Sequence, residues 1–140
     1  GLRARVLLVN RNKLKGNIKP NSVLDLADLQ WKDQCALASP LLGTTATHFA
    51  ILASEESVWQ GKHASFQAWV QQVRSNAIVL AGNKQVAQAV AAGQVTWGLT
   101  DTDDARIEIE NGHPVELIYP DQLADQMGML GIPSTLALVK

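Results

Sequence analysis

Cysteine is almost absent from this 140-residue chain, which contains a single one, Cys35. One cysteine cannot form an intramolecular disulfide, so the sequence excludes the small disulfide-stapled domains. Cys35 lies in the apolar run CALAS, which predicts a buried and unreactive thiol. Cysteine usage therefore favours neither an oxidising nor a reducing compartment.

Long hydrophobic runs are missing as well. No apolar stretch approaches the roughly 20 residues of a membrane-spanning helix. No signal peptide opens the chain, because its first residues already have the pattern of a strand. We therefore expect the amino terminus to be a cut end, and 140 residues with 46% hydrophobic content to form one globular domain.

An excess of charge of one sign is also missing, since the formal net charge is -1. The sequence therefore predicts no general attraction to nucleic acid or to an anionic membrane. The charges are nevertheless segregated into a basic run before the first acidic residue and an acidic run after residue 100, and both runs are typical of solvated faces. The basic run comprises Arg3, Arg5, Arg11, Lys13, Lys15 and Lys19, and the acidic run comprises Asp101, Asp103, Asp104, Glu108 and Glu110.

The sequence lacks the common catalytic signatures. It has no glycine-rich phosphate loop, no nucleophile elbow and no Ser-His-Asp order around one. The stretch VTWGLTDTDDA imitates the strand and D-x-D motif of haloacid-dehalogenase-type phosphatases, but that motif normally opens its domain, and here too little chain follows residue 101 for the later motifs. A non-enzymatic protein is therefore predicted, with a small phosphatase-like enzyme as the least favoured alternative.

Segments with strand character alternate with amphipathic segments through most of the chain. This alternation predicts a three-layer α/β lobe with a mostly parallel central sheet flanked by helices, in which the final strand may run against the others. Predicted strands lie at 4–10, 34–39, 77–81, 95–99, 115–119 and 134–139, with a loop between the last two. The strand at 77–81 is expected to be buried, and the one at 95–99 to have one buried face. Predicted helices follow Ser22 and Asn83, which are expected to cap them, with the second ending at Gly93. Others begin near Thr44, span 66–74 and span 103–111.

The strand at 95–99 leads directly into the acidic turn 101–104. Open α/β sheets bind their ligands at the carboxyl ends of strands, so Asp101 and Thr102 are candidate ligand-binding residues. Asp101 and Asp103 could also bind a cation through hard oxygen atoms. Acidic residues in a first helical turn equally stabilise the helix alone, and this alternative stays open.

The turn SPLLGTT offers a second group of polar residues at a helix start. Ser39, Gly43, Thr44 and Thr45 could bind an anion there, because free N–H groups and the positive end of the helix dipole attract negative charge. The alternative is that Thr44 or Thr45 only caps the helix. His48 follows one turn later, where it could reach the same ligand or, as is more common, serve only in packing.

The order of ARVLLVN, SVLDLADLQW, ALASPLLGTTATH, VLAGNKQVAQAVAAGQVTWGLTDTDDA, PVELIYPDQ and IPSTLALVK resembles the second lobe of bacterial extracellular solute-binding proteins. These proteins serve ABC importers, and the resemblance is to their ferric-iron-binding branch, which has the type 2 periplasmic-binding-protein fold. It covers essentially the whole chain and implies two lobes around a cleft, with hinge strands at 4–10 and 135–139 and the amino-terminal lobe missing. It further implies a periplasmic or tethered monomer that delivers its solute to an ABC permease and does not bind nucleic acid.

The chain departs from the ferric pattern in its tyrosines. Many iron-binding relatives carry adjacent tyrosines after the strand that here precedes Asp101, whereas the single tyrosine of this chain is Tyr119. A ferric ion, a small anion and a carboxylate-bound metal all stay open as the ligand, and no other cofactor is predicted. An effector-sensing domain of a transcription regulator, which shares the fold, is the alternative function.

Overall fold

A computed structural model describes residues 3–59, 65–122, 126, 128–132 and 137–139. No helix in these ranges combines the length and the apolar character needed to cross a membrane. The strands are β1 (Arg3–Asn10), β2 (Cys35–Ala38), β3 (Ile78–Leu80), β4 (Trp97–Asp101), β5 (Val115–Ile118), β6 (Met129–Ile132) and β7 (Ala137–Val139). The α-helices are α1 (Gly43–Ser54), α2 (Phe66–Asn76), α3 (Asn83–Ala91) and α4 (Thr102–Glu110), and short 3-10 helices lie at Arg11–Lys13, Val23–Ala27, Leu29–Trp31 and Glu56–Trp59.

The strands form one sheet in the order β3-β2-β4-β1-β6-β7, and β5 pairs with the other part of β1. Strands β3 and β4 run parallel to β2 on either side of it. Strand β1 runs antiparallel to β4, β5 and β6. The predicted α/β architecture is confirmed, but its parallel part is limited to β3, β2 and β4.

The sheet separates two hydrophobic cores, because successive side chains of a strand point to opposite faces. Leu7 and Val9 of β1 face a core that contains Phe49 of α1 and Trp69 of α2. Val6 and Leu8 face the other core, which α3 and α4 cover. Helices therefore cover both faces, and β4 is buried along its entire length instead of on one face only.

Gly98 allows α3 to approach the sheet closely. A Cβ atom at this position would lie 2.4 Å from Val86 Cγ1 and 3.1 Å from the carbonyl oxygen of Ala36. Since Val86 is fully buried, it has little room to withdraw. The glycine is therefore a packing requirement of the β4–α3 contact.

Several predictions from the pattern need correction. The segment at 77–81 is a strand, but Ile78 and Val79 are 37% and 48% exposed, because β3 is an edge strand paired only with β2. Strand β6 lies where a loop was expected, and it is held by pairing with β1 and β7. The predicted final strand is confirmed at Ala137–Val139, while residues 133–136 lie outside the described part of the chain.

The caps confirm one prediction and correct another. Ser22 caps its helix as predicted, accepting a hydrogen bond from Leu24 N, and Asp25 completes a capping box. That helix is a single 3-10 turn. Asn83 does not cap α3, because it is the first residue of the helix and Gly82 occupies the cap position.

Candidate functional site

A buried ion pair lies at the edge of the sheet where β4 ends. Arg5 of β1 is opposite Asp101 of β4 in the antiparallel register. Its Nη1 donates to Asp101 Oδ1 at 2.9 Å, and the two side chains are 0% and 5% exposed. The predicted site therefore has an arginine at its centre.

Three helices direct their amino ends to this same edge. Helices α1, α3 and α4 each begin after a strand of the parallel part of the sheet, β2, β3 and β4 respectively. Their cap residues are Leu42, Gly82 and Asp101, and none of the three forms a side-chain cap hydrogen bond. Uncapped first turns carry free N–H groups and a partial positive charge, and both favour an anion.

The Arg5 guanidinium connects the first turns of α1 and α3. Its Nη1 also donates to Asn83 Oδ1 at 2.8 Å and to Thr44 Oγ1 at 3.3 Å, and its Nη2 donates to Thr45 Oγ1 at 2.8 Å. Asn83 Nδ2 in turn donates to Thr44 Oγ1 at 3.0 Å and to Asp101 Oδ2 at 3.4 Å. We call these five residues, Arg5, Thr44, Thr45, Asn83 and Asp101, the Arg5 cluster.

Burial decides the charge states near the cluster. Desolvation lowers the pKa of Arg5, and the neighbouring Asp101 opposes that shift. Burial, with the positive charge of Arg5 as a smaller cause, lowers the pKa of His48 to about 3. His48 is therefore neutral at ordinary pH, and its Nδ1 has no hydrogen-bond partner among the described residues.

The structure brings together three of the predicted ligand-binding residues, Thr44, Thr45 and Asp101. Thr45 and Asp101 are buried and bond to Arg5, while Thr44 is partly exposed. Thr102 is buried too, and its Oγ1 accepts from the backbone N–H of Ala4 at 3.2 Å. Thr44 and Asn83, which is also partly exposed, are thus the members of the cluster that a bound molecule could contact most directly.

Ser39 and Gly43 lie on the open side of the same edge. Ser39 is partly exposed and accepts from the backbone N–H of Leu41 at 3.3 Å. Gly43 begins α1 with φ of +65°, a conformation that strongly favours glycine. Between them, Leu41 and Leu42 are 85% and 73% exposed, so the edge has an uncovered apolar rim.

The two residues predicted to bind a metal, Asp101 and Asp103, pair with different arginines. Asp101 is paired with Arg5, while Asp103 is exposed and lies 3.8 Å from Arg3 Nε. Burial, followed by the charges of Asp101 and Asp103, raises the pKa of Asp104. Within the described ranges, no group of three or more His, Cys, Asp or Glu side chains could hold a metal ion.

Sequence reasoning missed Arg5 and the contacts of Asn83. An arginine within the apolar run ARVLLVN was the available signal, because a charge in a strand covered on both faces requires a buried partner. The partner could not be read from the sequence, since Asp101 lies 96 positions away. Asn83 had been assigned to helix capping, a common use of asparagine.

A family model described as "Bacterial extracellular solute-binding protein" matches residues 1–129 of the chain. A curated relative, the Fe(3+)-binding periplasmic protein of Serratia marcescens, is 35% identical over 122 residues. That match covers 84% of this chain and 34% of the relative.

Solved structures resemble the fold over nearly the whole chain. A structure titled "Two-component system protein mediate signal transduction" is 28% identical with a TM-score of 0.72, and the match covers 93% of this chain and 40% of that one. The ferric binding protein from Campylobacter jejuni is 22% identical with a TM-score of 0.70, over 93% of this chain and 42% of that one. The chain therefore spans well under half the length of these proteins.

Proposed function

Because the chain belongs to the bacterial extracellular solute-binding proteins, we propose that it is one ligand-binding lobe of a two-lobe protein that serves an ABC importer. The observation that carries this proposal is the convergence of three uncapped helix amino ends at one sheet edge. A second lobe would close over this edge and enclose the solute. The proposed protein is a monomer in the periplasm or tethered at the cell surface, and it transfers its solute to a permease without binding nucleic acid.

The exposed rim supports the position of the cleft. Leu41 and Leu42 lie three and four residues after the end of β2 and are largely exposed. Exposed leucines of this extent favour a surface that a ligand or another lobe covers. Since they flank Gly43 and Thr44, the same closure would bury the amino end of α1.

We propose a small anion as the solute. The free N–H groups of α1 and α3 and the hydroxyl of Thr44 would bind a phosphate or carboxylate. Arg5 supplies a fixed positive charge behind them, and its hydrogen bonds hold Thr44 and Asn83 in place. A cation at the same place would face the guanidinium, because the carboxylate of Asp101 is already paired with it.

A ferric ion is the second candidate solute, and the Serratia marcescens relative supports it by its name. Tyr119 offers a hard phenolate oxygen at the end of β5, and its side chain is exposed. Asp103 is exposed as well and could add a carboxylate. These two groups are fewer than a hard trivalent ion requires, so the other lobe would have to contribute the remaining ligands.

The resemblance to a two-component system protein supports an alternative use of the same lobe. In that case, closure around the solute would be reported to a signalling partner instead of a permease. Either use follows from one physical property: the solute binds the closed form more tightly than the open form and shifts the population toward it. The relatives are named as binding or signalling proteins, and the proposal includes no catalytic step.

A thermal-shift titration of the two-lobe protein tests the proposal. The compounds are inorganic phosphate, a phosphonate, a sugar phosphate, a polyamine and a ferric salt. A solute at one hundred times its dissociation constant stabilises the folded state by about 2.7 kcal/mol. We expect one of the anions to raise the melting temperature, and Thr44→Ala to reduce that increase.

Thr47→Ala is the matched control. Thr47 lies on α1 one turn after Thr44, and its hydroxyl donates to the carbonyl of Gly43 and not to the Arg5 cluster. We expect this variant to respond to the anion as the unaltered protein does. A response to the ferric salt alone, unaffected by Thr44→Ala and lost with Tyr119→Phe, would replace the anion with the ferric ion.

A further inference from the structure

A pocket lies at the edge of the sheet opposite to the Arg5 cluster. Its volume is about 570 Å³, within the range of small-molecule sites, and it is partly open to solvent. Arg5 and Asn10 are five residues apart on β1, which is roughly 16 Å of strand, and the pocket begins beyond Asn10. The lining residues are Asn12, Lys13, Leu14, Lys15, Ile18, Gln30, Trp31, Gln34 and Thr96.

Two lysines of the basic run form one wall of this pocket. Lys13 and Lys15 lie in the segment that follows β1, and both are exposed. Neither forms an ion pair within the described part of the chain. None of the lining residues is acidic, so the pocket has a net positive charge.

The opposite wall combines an aromatic ring with amide donors. Trp31 is 8% exposed and packs edge-on against Trp97 with ring centroids 6.1 Å apart. The hydroxyl of Thr96 donates to Gln34 Oε1 at 3.0 Å. This bond leaves the amide nitrogen of Gln34 as a hydrogen-bond donor without an acceptor among the described residues.

Apolar surface completes the pocket. Leu14 packs against the core that contains Trp31. Ile18 is 56% exposed, which is unusual for isoleucine and places apolar surface beside the two lysines. A ligand that fits these walls needs an apolar body for Trp31, Leu14 and Ile18, and a negative group for the lysines.

We propose that this pocket binds a small organic anion with a flat apolar body, such as an aromatic carboxylate or sulfonate, at a site separate from the solute cleft. The lysine ammonium groups hold the anionic group, the Gln34 amide donates to it, and the flat body packs along Trp31 and Ile18. The proposal does not depend on the identity of the solute, because no residue of the pocket belongs to the Arg5 cluster.

The probe is 8-anilinonaphthalene-1-sulfonate, which carries a sulfonate on an aromatic body and fluoresces when water is excluded. Isothermal titration and fluorescence are measured on the full-length protein. We expect one site per chain and a dissociation constant that rises with salt, because part of the attraction is between partly exposed charges. Quenching of tryptophan emission should accompany binding, since Trp31 lines the pocket.

The double variant Lys13→Gln/Lys15→Gln should weaken the binding about fivefold or more, because two partly exposed charge contacts are lost. It should also abolish the salt dependence. The control is Arg74→Gln/Arg106→Gln, which removes the same charge from two exposed residues outside both the pocket and the Arg5 cluster and should bind as the unaltered protein does. Ile18→Ser should weaken binding of both the sulfonate and its uncharged analogue N-phenyl-1-naphthylamine.

Equal affinity of the two double variants for the sulfonate would overturn the proposal. Binding of the sulfonate at several weak sites, unchanged by Ile18→Ser, would overturn it too. Circular dichroism spectra of all variants should superimpose, because the three substituted pocket residues are exposed. Failure of this test leaves the solute titration of Thr44→Ala unaffected, so the two proposals succeed or fail separately.

Discussion

Arg5 and Asp101 lie opposite each other on β1 and β4, and their side chains form a fully buried ion pair of 2.9 Å. Two charges in the interior need further hydrogen bonds to offset their loss of hydration. Thr44, Thr45 and Asn83 supply most of these partners from two helix starts. The pair therefore ties α1 and α3 to the sheet at the edge where the solute is proposed to bind.

Asp101→Asn should destabilise the protein strongly. The change removes the negative charge that compensates Arg5. A buried charge left without its partner destabilises the folded state by about 3 kcal/mol or more. Asp103→Asn is the control, because its contact with Arg3 is 3.8 Å long and exposed, and such pairs contribute less than about 1 kcal/mol. Urea denaturation measures both free energies of unfolding, and equal losses would show that the buried pair is not important for stability.

Gly98→Ala should destabilise the β4–α3 contact by about 1–3 kcal/mol, the usual cost of overpacking a core. The added methyl group would lie 2.4 Å from Val86 Cγ1. The double variant Gly98→Ala/Val86→Ala should recover part of the loss relative to the sum of the single changes, because Val86 no longer occupies that space. Urea denaturation measures the loss in free energy of unfolding for each variant. A loss in the double variant equal to the sum of the two single losses would contradict the packing argument.

His48 should make the stability depend on pH below about 6.5. Burial lowers the pKa of the folded protein's His48 to about 3, whereas the unfolded chain binds the proton near the ordinary value of 6.5. The stability contributed by the neutral imidazole is fully present above 6.5 and is lost as the pH falls toward 3, at up to roughly 1.4 kcal/mol per pH unit. In His48→Gln, the free energy of unfolding should change less with pH between about 6.5 and 3 than it does in the unaltered protein.

The raised pKa values of Asp104 and Asp121 act in the opposite direction in the lower part of this range. The measurement is therefore the difference between the unaltered protein and His48→Gln, in which these carboxyl groups cancel. The control is His113→Gln at an exposed histidine. The free energy of unfolding of this variant should depend on pH as that of the unaltered protein does. A parallel pair of curves for His48→Gln and the unaltered protein would refute the assignment.

Cys35 should resist alkylation in the folded protein. The thiol is fully buried, and burial raises its pKa to about 12, so almost no reactive thiolate is present at pH 8. Iodoacetamide should label Cys35 in denaturant within minutes and in native buffer only at the rate of unfolding. Rapid native labelling, followed by mass spectrometry, would contradict the packing around β2.

Local patterns were sufficient to predict most elements and the edge of the sheet on which the polar residues gather. Ser22 indicated a helix start, and the amphipathic spacing from Phe66 indicated α2, which begins there. Thr44, Thr45 and Asp101 were each predicted to lie at a helix start that follows a strand. Such signals involve residues a few positions apart, so they do not depend on the rest of the fold.

The direction of β1, the exposure of β3 and the partner of Arg5 were decided by the tertiary structure. Each depends on which strands become neighbours, and a strand's own residues do not encode that choice. The sequence by itself therefore determined the layered α/β class, the buried thiol and the polar helix starts, whose causes are local periodicity and capping. Only the folded sheet decided that Asp101 pairs with Arg5 across 96 positions of chain, because the antiparallel register of β1 and β4 brings the two side chains into one buried space.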